Sequence, residues 1–112
     1  NTFFRQNRTS VFTSLQKKES VVKLKYDDLN DILHHREEID SKIKEFQSGQ
    51  HVVYQLDIGS NLNKVQINTP YVCVDIRRFW NVPSTRIIVP TKSGVSLTFS
   101  EYCNFIQLLS YL

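Results

Sequence analysis

A chain of 112 residues leaves room for one core, or one core plus an arm. Its 40% hydrophobic, 12% aromatic and 22% charged residues exclude disorder throughout, and no apolar run approaches the roughly 18–20 residues that span a bilayer. A net charge of +3 permits a polyanionic partner without demanding one.

The charge is unevenly spread. Residues 1–50 hold nine Lys/Arg and eight Asp/Glu, whereas residues 51–112 hold five and three. Cys73 and Cys103 allow at most one bridge, and no apolar leader opens the chain, so a reducing, intracellular setting is the simpler expectation. The absence of any Met is expected of a piece of something longer.

Residues 1–20 show no sustained period and read as an extended arm, followed by a short strand over Val21–Tyr26. From Asp27 the spacing becomes helical: Leu29, Ile32, Ile39, Ile43 and Phe46 recur at steps of three and four, with Arg36 in the one skipped place. Asp27 is the expected cap of this helix and Gly49 its terminator. The apolar stripe has two possible uses, packing on its own sheet or meeting transcription or assembly proteins through residues 27–47.

After Gly49 the period shortens to two. His51–Ile58, Lys64–Thr69, Tyr71–Trp80 and Arg86–Thr98 are rich in β-branched and aromatic residues and are separated by turn formers, which predicts a four-stranded antiparallel meander. On the third strand Val72, Val74 and Ile76 point one way and Tyr71, Cys73, Asp75 and Arg77 the other. Thr98-Phe99-Ser100-Glu101 spells a capping box that opens a helix over Phe99–Leu112. That helix is apolar on more than one face, more than a lone helix on a sheet can hide. A homodimer interface through Tyr102, Phe105, Ile106 and Leu109 is the expected cover.

The fold class expected is therefore α+β: an arm and amphipathic helix over 1–50, then a four-stranded antiparallel sheet with a C-terminal helix over 51–112, as a dimer. In the second unit, Asp75-Ile76-Arg77-Arg78-Phe79-Trp80 sets two guanidinium groups beside two large rings. Single-stranded nucleic acid needs that combination, because arginine neutralises phosphate while exposed rings stack on bases. The bland reading is that Phe79 and Trp80 are core residues and the arginines a solvated edge. Lys92, in the Pro90-Thr91-Lys92-Ser93-Gly94 segment, is a further candidate, with Arg86 and Lys64 as weaker members of the same basic set.

The order of DIRRFW, a polar gap, PTKSGVSLT and an aromatic-bearing helix (SEYCNFIQLL) resembles the C-terminal domain of the positive cofactor four family of transcriptional coactivators, over roughly Val52–Leu109. The resemblance implies a curved four-stranded sheet with one helix, dimerisation, and a groove for single-stranded or unwound DNA. Matched by position, the family's nucleic-acid arginine and tryptophan fall on Arg77 and Trp80, and its cations before the Gly-Ile-Ser-Leu strand fall near Lys92 and Ser93. The hairpin between the second and third strands departs from the family's basic and aromatic pattern, with Asn68, Thr69 and Pro70 in its place, and Tyr71 is a candidate substitute for the lost stacking ring.

Enzymatic readings have little to stand on. His34-His35 with Glu37 and Glu38 lacks the HExxH spacing, Cys73, Cys103 and His51 form no nucleophile or metal pattern, and no phosphate-binding Gly-rich loop occurs. Two functions remain in view. One is a nuclear or viral single-stranded DNA-binding coactivator with no metal and no cofactor, and the other an assembly module of a larger nucleoprotein particle built on the same fold.

Overall fold

The computed structural model describes residues 2–6, 12–60 and 62–111. The segment expected as an arm is paired instead: β1 (Thr2–Gln6) and β2 (Phe12–Lys17) run antiparallel, and β3 (Ser20–Lys25) completes a three-stranded sheet in the order β1-β2-β3. Residues 7–11 of that segment lie outside the described residues. Leu15, Val22 and Leu24 face inward and are all but fully buried.

The expected single helix is two. Helix α1 (Tyr26–His34) begins one residue before the expected Asp27 cap: Lys25 is the N-cap, and its backbone N–H donates to Asp28 Oδ2 at 2.8 Å. The chain leaves helical geometry at His35 (φ −106, ψ 13) and resumes as α2 (Arg36–Gln47). A straight helix would have carried Arg36 into the apolar stripe. The break leaves Arg36 exposed while Leu29, Ile32, Ile39 and Ile43 stay buried. The stripe thus packs on the chain's own sheets. At the far end Gly49 (φ 90) donates to Phe46 O and Gln50 N–H to Glu45 O, the paired bonds of a glycine-terminated helix.

The second sheet is the expected meander, β4 (Val53–Ile58), β5 (Asn63–Asn68), β6 (Val74–Asn81) and β7 (Ile88–Leu97), antiparallel throughout and in sequential order. Val74 and Ile76 face the core and are fully buried. Val72 precedes the strand and is exposed, so the expected inward row starts one residue pair later. Helix α3 (Phe99–Leu109) opens as expected: Thr98 Oγ1 accepts from Glu101 N–H at 3.1 Å, and Glu101 Oε1 accepts from Thr98 N–H at 2.8 Å.

Much of the cover that α3 needs comes from within the chain. The Phe46 and Phe99 rings meet edge to face with centroids 5.4 Å apart, joining α2 to α3. Lys17 of β2 bridges to Glu101 at 2.8 Å and donates to Ser96 O, while β3 packs along β7. Leu15, Val22, Ile32, Ile39, Val65, Ile76, Leu97, Phe105 and Leu109 accordingly belong to one buried cluster. The change near residue 50 is a change of period, not of core.

Candidate nucleic-acid interface

Strand alternation divides the predicted site. Asp75, Arg77 and Phe79 occupy the outer face of the sheet, away from the core row of Val74 and Ile76, while Arg78 and Trp80 turn to the core-side face at a point beyond the core. Two adjacent arginines therefore point in opposite directions.

On the outer face the cations are already matched. Arg77 grips Asp75 through Nε to Oδ2 (3.1 Å) and Nη2 to Oδ1 (3.0 Å), and its Nη1 donates to Thr91 O at 2.8 Å, occupying three of its five N–H groups. Asp75 also accepts from Ser96 Oγ at 2.9 Å. Lys64 is 8% exposed, pairs with Asp57, and lies with its ammonium 5.4 Å from the centre of the Phe79 ring. Phe79 is buried beneath it, apart from the main core. Neither Phe79 as a stacking ring nor Lys64 as a phosphate ligand is available in this arrangement.

The strand pair is irregular where Arg77 gives way to Phe79. Arg77 stands opposite Gly94 and Phe79 opposite Pro90, so Thr91, Lys92 and Ser93 of β7 face Arg78 alone and bulge outward. Three hydrogen bonds fix the bulge: Arg77 Nη1 to Thr91 O, Thr91 Oγ1 to Arg78 O (2.7 Å) and Ser93 N–H to Thr91 Oγ1 (3.2 Å). Arg77 also lies across Gly94, where an added Cβ would stand 2.6 Å from its Cζ and 2.7 Å from its Cγ. Its structural task is that of a strut, holding the bulge that carries Lys92. The i, i+2 spacing of Asp75 and Arg77 on one strand face was the signal for this pairing, and the bulge itself had no sequence signal beyond Gly94.

The exposed set sits at the distal end of β6 and β7. Trp80 is 52% exposed, Arg78, Arg86 and Lys92 are exposed, and none of the three cations has an ion pair among the described residues. The connection is held tight by Val82 N–H to Ile87 O (2.9 Å) and Thr85 N–H to Val82 O (3.2 Å), which fixes Arg86 at its tip. Ile87 and Ile88, to which no role was assigned from the sequence, are exposed at the same end of the strand pair, Ile88 opposite Asn81. Between Asp75 and Glu101 the sequence holds Arg77, Arg78, Arg86 and Lys92 and no carboxylate.

Elsewhere, Tyr71 is exposed at the rim of a groove of about 530 Å³ on the outer face, lined by Gln66, Asn68, Asp75, Arg77 and Ser96 among others. Cys73 borders the same groove, and burial, with Asp75 nearby, pushes its thiol up, which suppresses the thiolate. Of the residues expected at a dimer interface, Tyr102, Phe105 and Leu109 are buried within the single chain and Ile106 is half-buried. Among the described residues, Leu108 and Tyr111 are the large apolar side chains exposed at this end. Among the described residues no three His, Cys, Asp or Glu side chains converge as a metal site, and no helix is long and apolar enough to cross a membrane. No family model, curated protein or solved structure matches the chain.

Proposed function

We propose that this protein binds single-stranded DNA through the distal end of β6 and β7, in the manner of a transcriptional coactivator, and catalyses no reaction. The observation that carries the reading is the half-exposed Trp80 with Arg78 two residues back on the same strand face, flanked by Arg86 and Lys92 in a stretch free of carboxylates. An indole offers any base a stacking surface, and three unpaired cations supply phosphate neutralisation without a desolvated partner to displace. The four-strand meander and capped helix follow the element order that the coactivator resemblance implies, and a nuclear or viral setting is part of the same proposal. Arg77 acts in this reading as a positioning residue, through Thr91 and the Lys92 bulge. A homodimer belongs to the proposal through Ile106 and Leu108 on α3 and Tyr111 just beyond it.

Titration with an oligothymidylate tests it directly. Trp80, the only tryptophan, is quenched on binding, and log K falls with log salt at a slope of about −2, from roughly 0.7 per neutralised phosphate on a single strand and three cations. Trp80→Ala weakens binding by about 1–3 kcal/mol. Emission that stays unchanged at low salt overturns the reading.

One observation favours an assembly role instead: Ile87 and Ile88 are 59% and 44% exposed at this end of the strand pair, apolar side chains of the kind that meet protein. Under that reading the same surface self-associates or captures a protein, and oligomer size depends on Ile87 and Ile88 while oligothymidylate has no effect.

A further inference from the structure

The seam between α1 and the β4–β5 hairpin holds a buried carboxyl group of unusual composition. Asp28 is 1% exposed; its Oδ2 accepts from the Lys25 backbone N–H at 2.8 Å and from Asn63 Nδ2 at 3.1 Å. Its other oxygen, Oδ1, is buried with no hydrogen-bond partner, and so is Oδ1 of Asn63, itself 2% exposed. Two acceptors are thus stranded on two residues that already touch. The turn closes tightly over this point, since a Cβ added to Gly59 would stand 2.0 Å from Asp28 Oδ1.

Against the two hydrogen bonds at Oδ2 that favour the charged form stand burial and two acidic neighbours. Along α1 the neighbouring ionisable groups are Asp27 and Asp31, both acidic, and Asp31 Oδ2 is engaged by the Gly59 N–H at 2.7 Å. From β3 the contact is the Lys25 backbone amide. From β5 it is the Asn63 amide, since Lys64 turns to the outer face and pairs with Asp57. Asp28 makes no ion pair among the described residues. A stranded buried acceptor costs about 1–3 kcal/mol. A proton on Asp28 Oδ1 turns that acceptor into a donor, and the residue it already touches through Nδ2 carries the other acceptor in need of one.

We propose that Asp28 is carried in the folded chain as the neutral acid, donating from Oδ1 to Asn63 Oδ1 while Asn63 Nδ2 donates to Oδ2, and that this closed acid–amide pair is a proton-operated latch between α1 and the β4–β5 hairpin. Burial holds the carboxyl above its ordinary value of 3.8 against the opposing pull of the Lys25 and Asn63 hydrogen bonds, with Asp27 and Asp31 adding smaller contributions to the rise. The sign of the pH effect follows. The folded form keeps the proton longer than the unfolded chain, so the latch's contribution is whole below the unfolded value and is lost as pH rises through the folded one. The latch also touches the distal strand: Leu62, in the same turn, accepts from Phe79 N–H at 2.7 Å, and Asn63 stands opposite Arg78 in the β5–β6 register. Deprotonation therefore loosens the support of β6 where it leaves the core.

Carbon-13 NMR of the aspartate carboxyls in the full chain, titrated from about pH 3 to 8, reads the proton without any substitution. The Asp28 resonance is expected to titrate above the usual range near 3.9. Asp28→Asn reproduces the acid's donor and acceptor pattern with a permanent N–H donor. Its urea midpoint is expected to stay level over the interval in which that of the natural chain declines with rising pH. An Asp28 carboxyl that ionises at or below the ordinary value, or equal pH slopes for the two chains, overturns the proposal.

Discussion

The two ends of the β6–β7 strand pair obey the same backbone rules and end in opposite environments. At the near end Val74, Ile76, Val95 and Leu97 are fully buried and face β3 and α3 in the common core. At the distal end Arg78, Trp80, Ile87 and Ile88 stand on strands or their connecting loop yet remain exposed among the described residues. The bulge at Thr91–Ser93 marks the transition. A strand pair rooted in a core offers its overhang as a rigid platform, so recognition chemistry can be carried there without weakening the fold.

That separation makes strong predictions. At the rooted end Ile76→Ala removes a fully buried side chain and is expected to destabilise the protein by about 2–5 kcal/mol, a large share of a typical 5–15 kcal/mol total. Urea denaturation followed by Trp80 emission and by far-ultraviolet circular dichroism checks it. Affinity for an oligothymidylate, measured on the fraction that remains folded, is expected to be unchanged. A loss of affinity in the folded fraction would break the division between root and overhang.

Gly94→Ala acts at the junction itself. The new methyl group meets Cβ, Cγ and Cζ of Arg77 at 2.6–2.8 Å, so Arg77 must leave its position and give up Asp75 and Thr91. Overpacking of this kind costs about 1–3 kcal/mol, and here it also frees the Lys92 bulge. Both the urea midpoint and the oligothymidylate affinity are expected to fall. A drop in stability alone would show that Lys92 does not depend on the Arg77 strut.

How much of this was legible depended on how many residues carried each signal. The meander showed in a sustained period of two, and α3 in the reciprocal Thr98–Glu101 pair, both local patterns with several independent members. Strand β2 was missed because its buried row exposes only Leu15 to a sequence reader; Lys17, on the same face, works instead by reaching Glu101 across 84 residues. The break at His35 lay inside an apolar stripe that a straight helix explains equally well until Arg36 has to be placed. At the site, composition brought out DIRRFW, but alternation separates its two arginines, and the Asp57–Lys64 pairing depends on a hairpin register that periodicity does not specify. The need for cover over α3 is met in part within the chain, by the segment expected as an arm and by the amphipathic helix, whose stripe packs on its own sheets.

The finest test of the comparison is the smallest in energy. Arg78 shares a backbone segment with Arg77 but has an exposed side chain with no ion pair among the described residues. Arg78→Ala is therefore expected to leave the urea midpoint nearly unmoved, within about 0.5 kcal/mol, as for a surface substitution away from special features. In oligothymidylate binding it removes one phosphate contact, so the slope of log K against log salt becomes shallower by about 0.7. Arg77→Ala separates the two roles. It is expected to lower stability and to weaken binding through displacement of Lys92, since the bulge loses its bond to Thr91 O. If the two substitutions exchange these signatures, so that Arg77 controls the salt slope and Arg78 the stability, then the outer face is the nucleic-acid surface and Asp75 is displaced when the strand arrives.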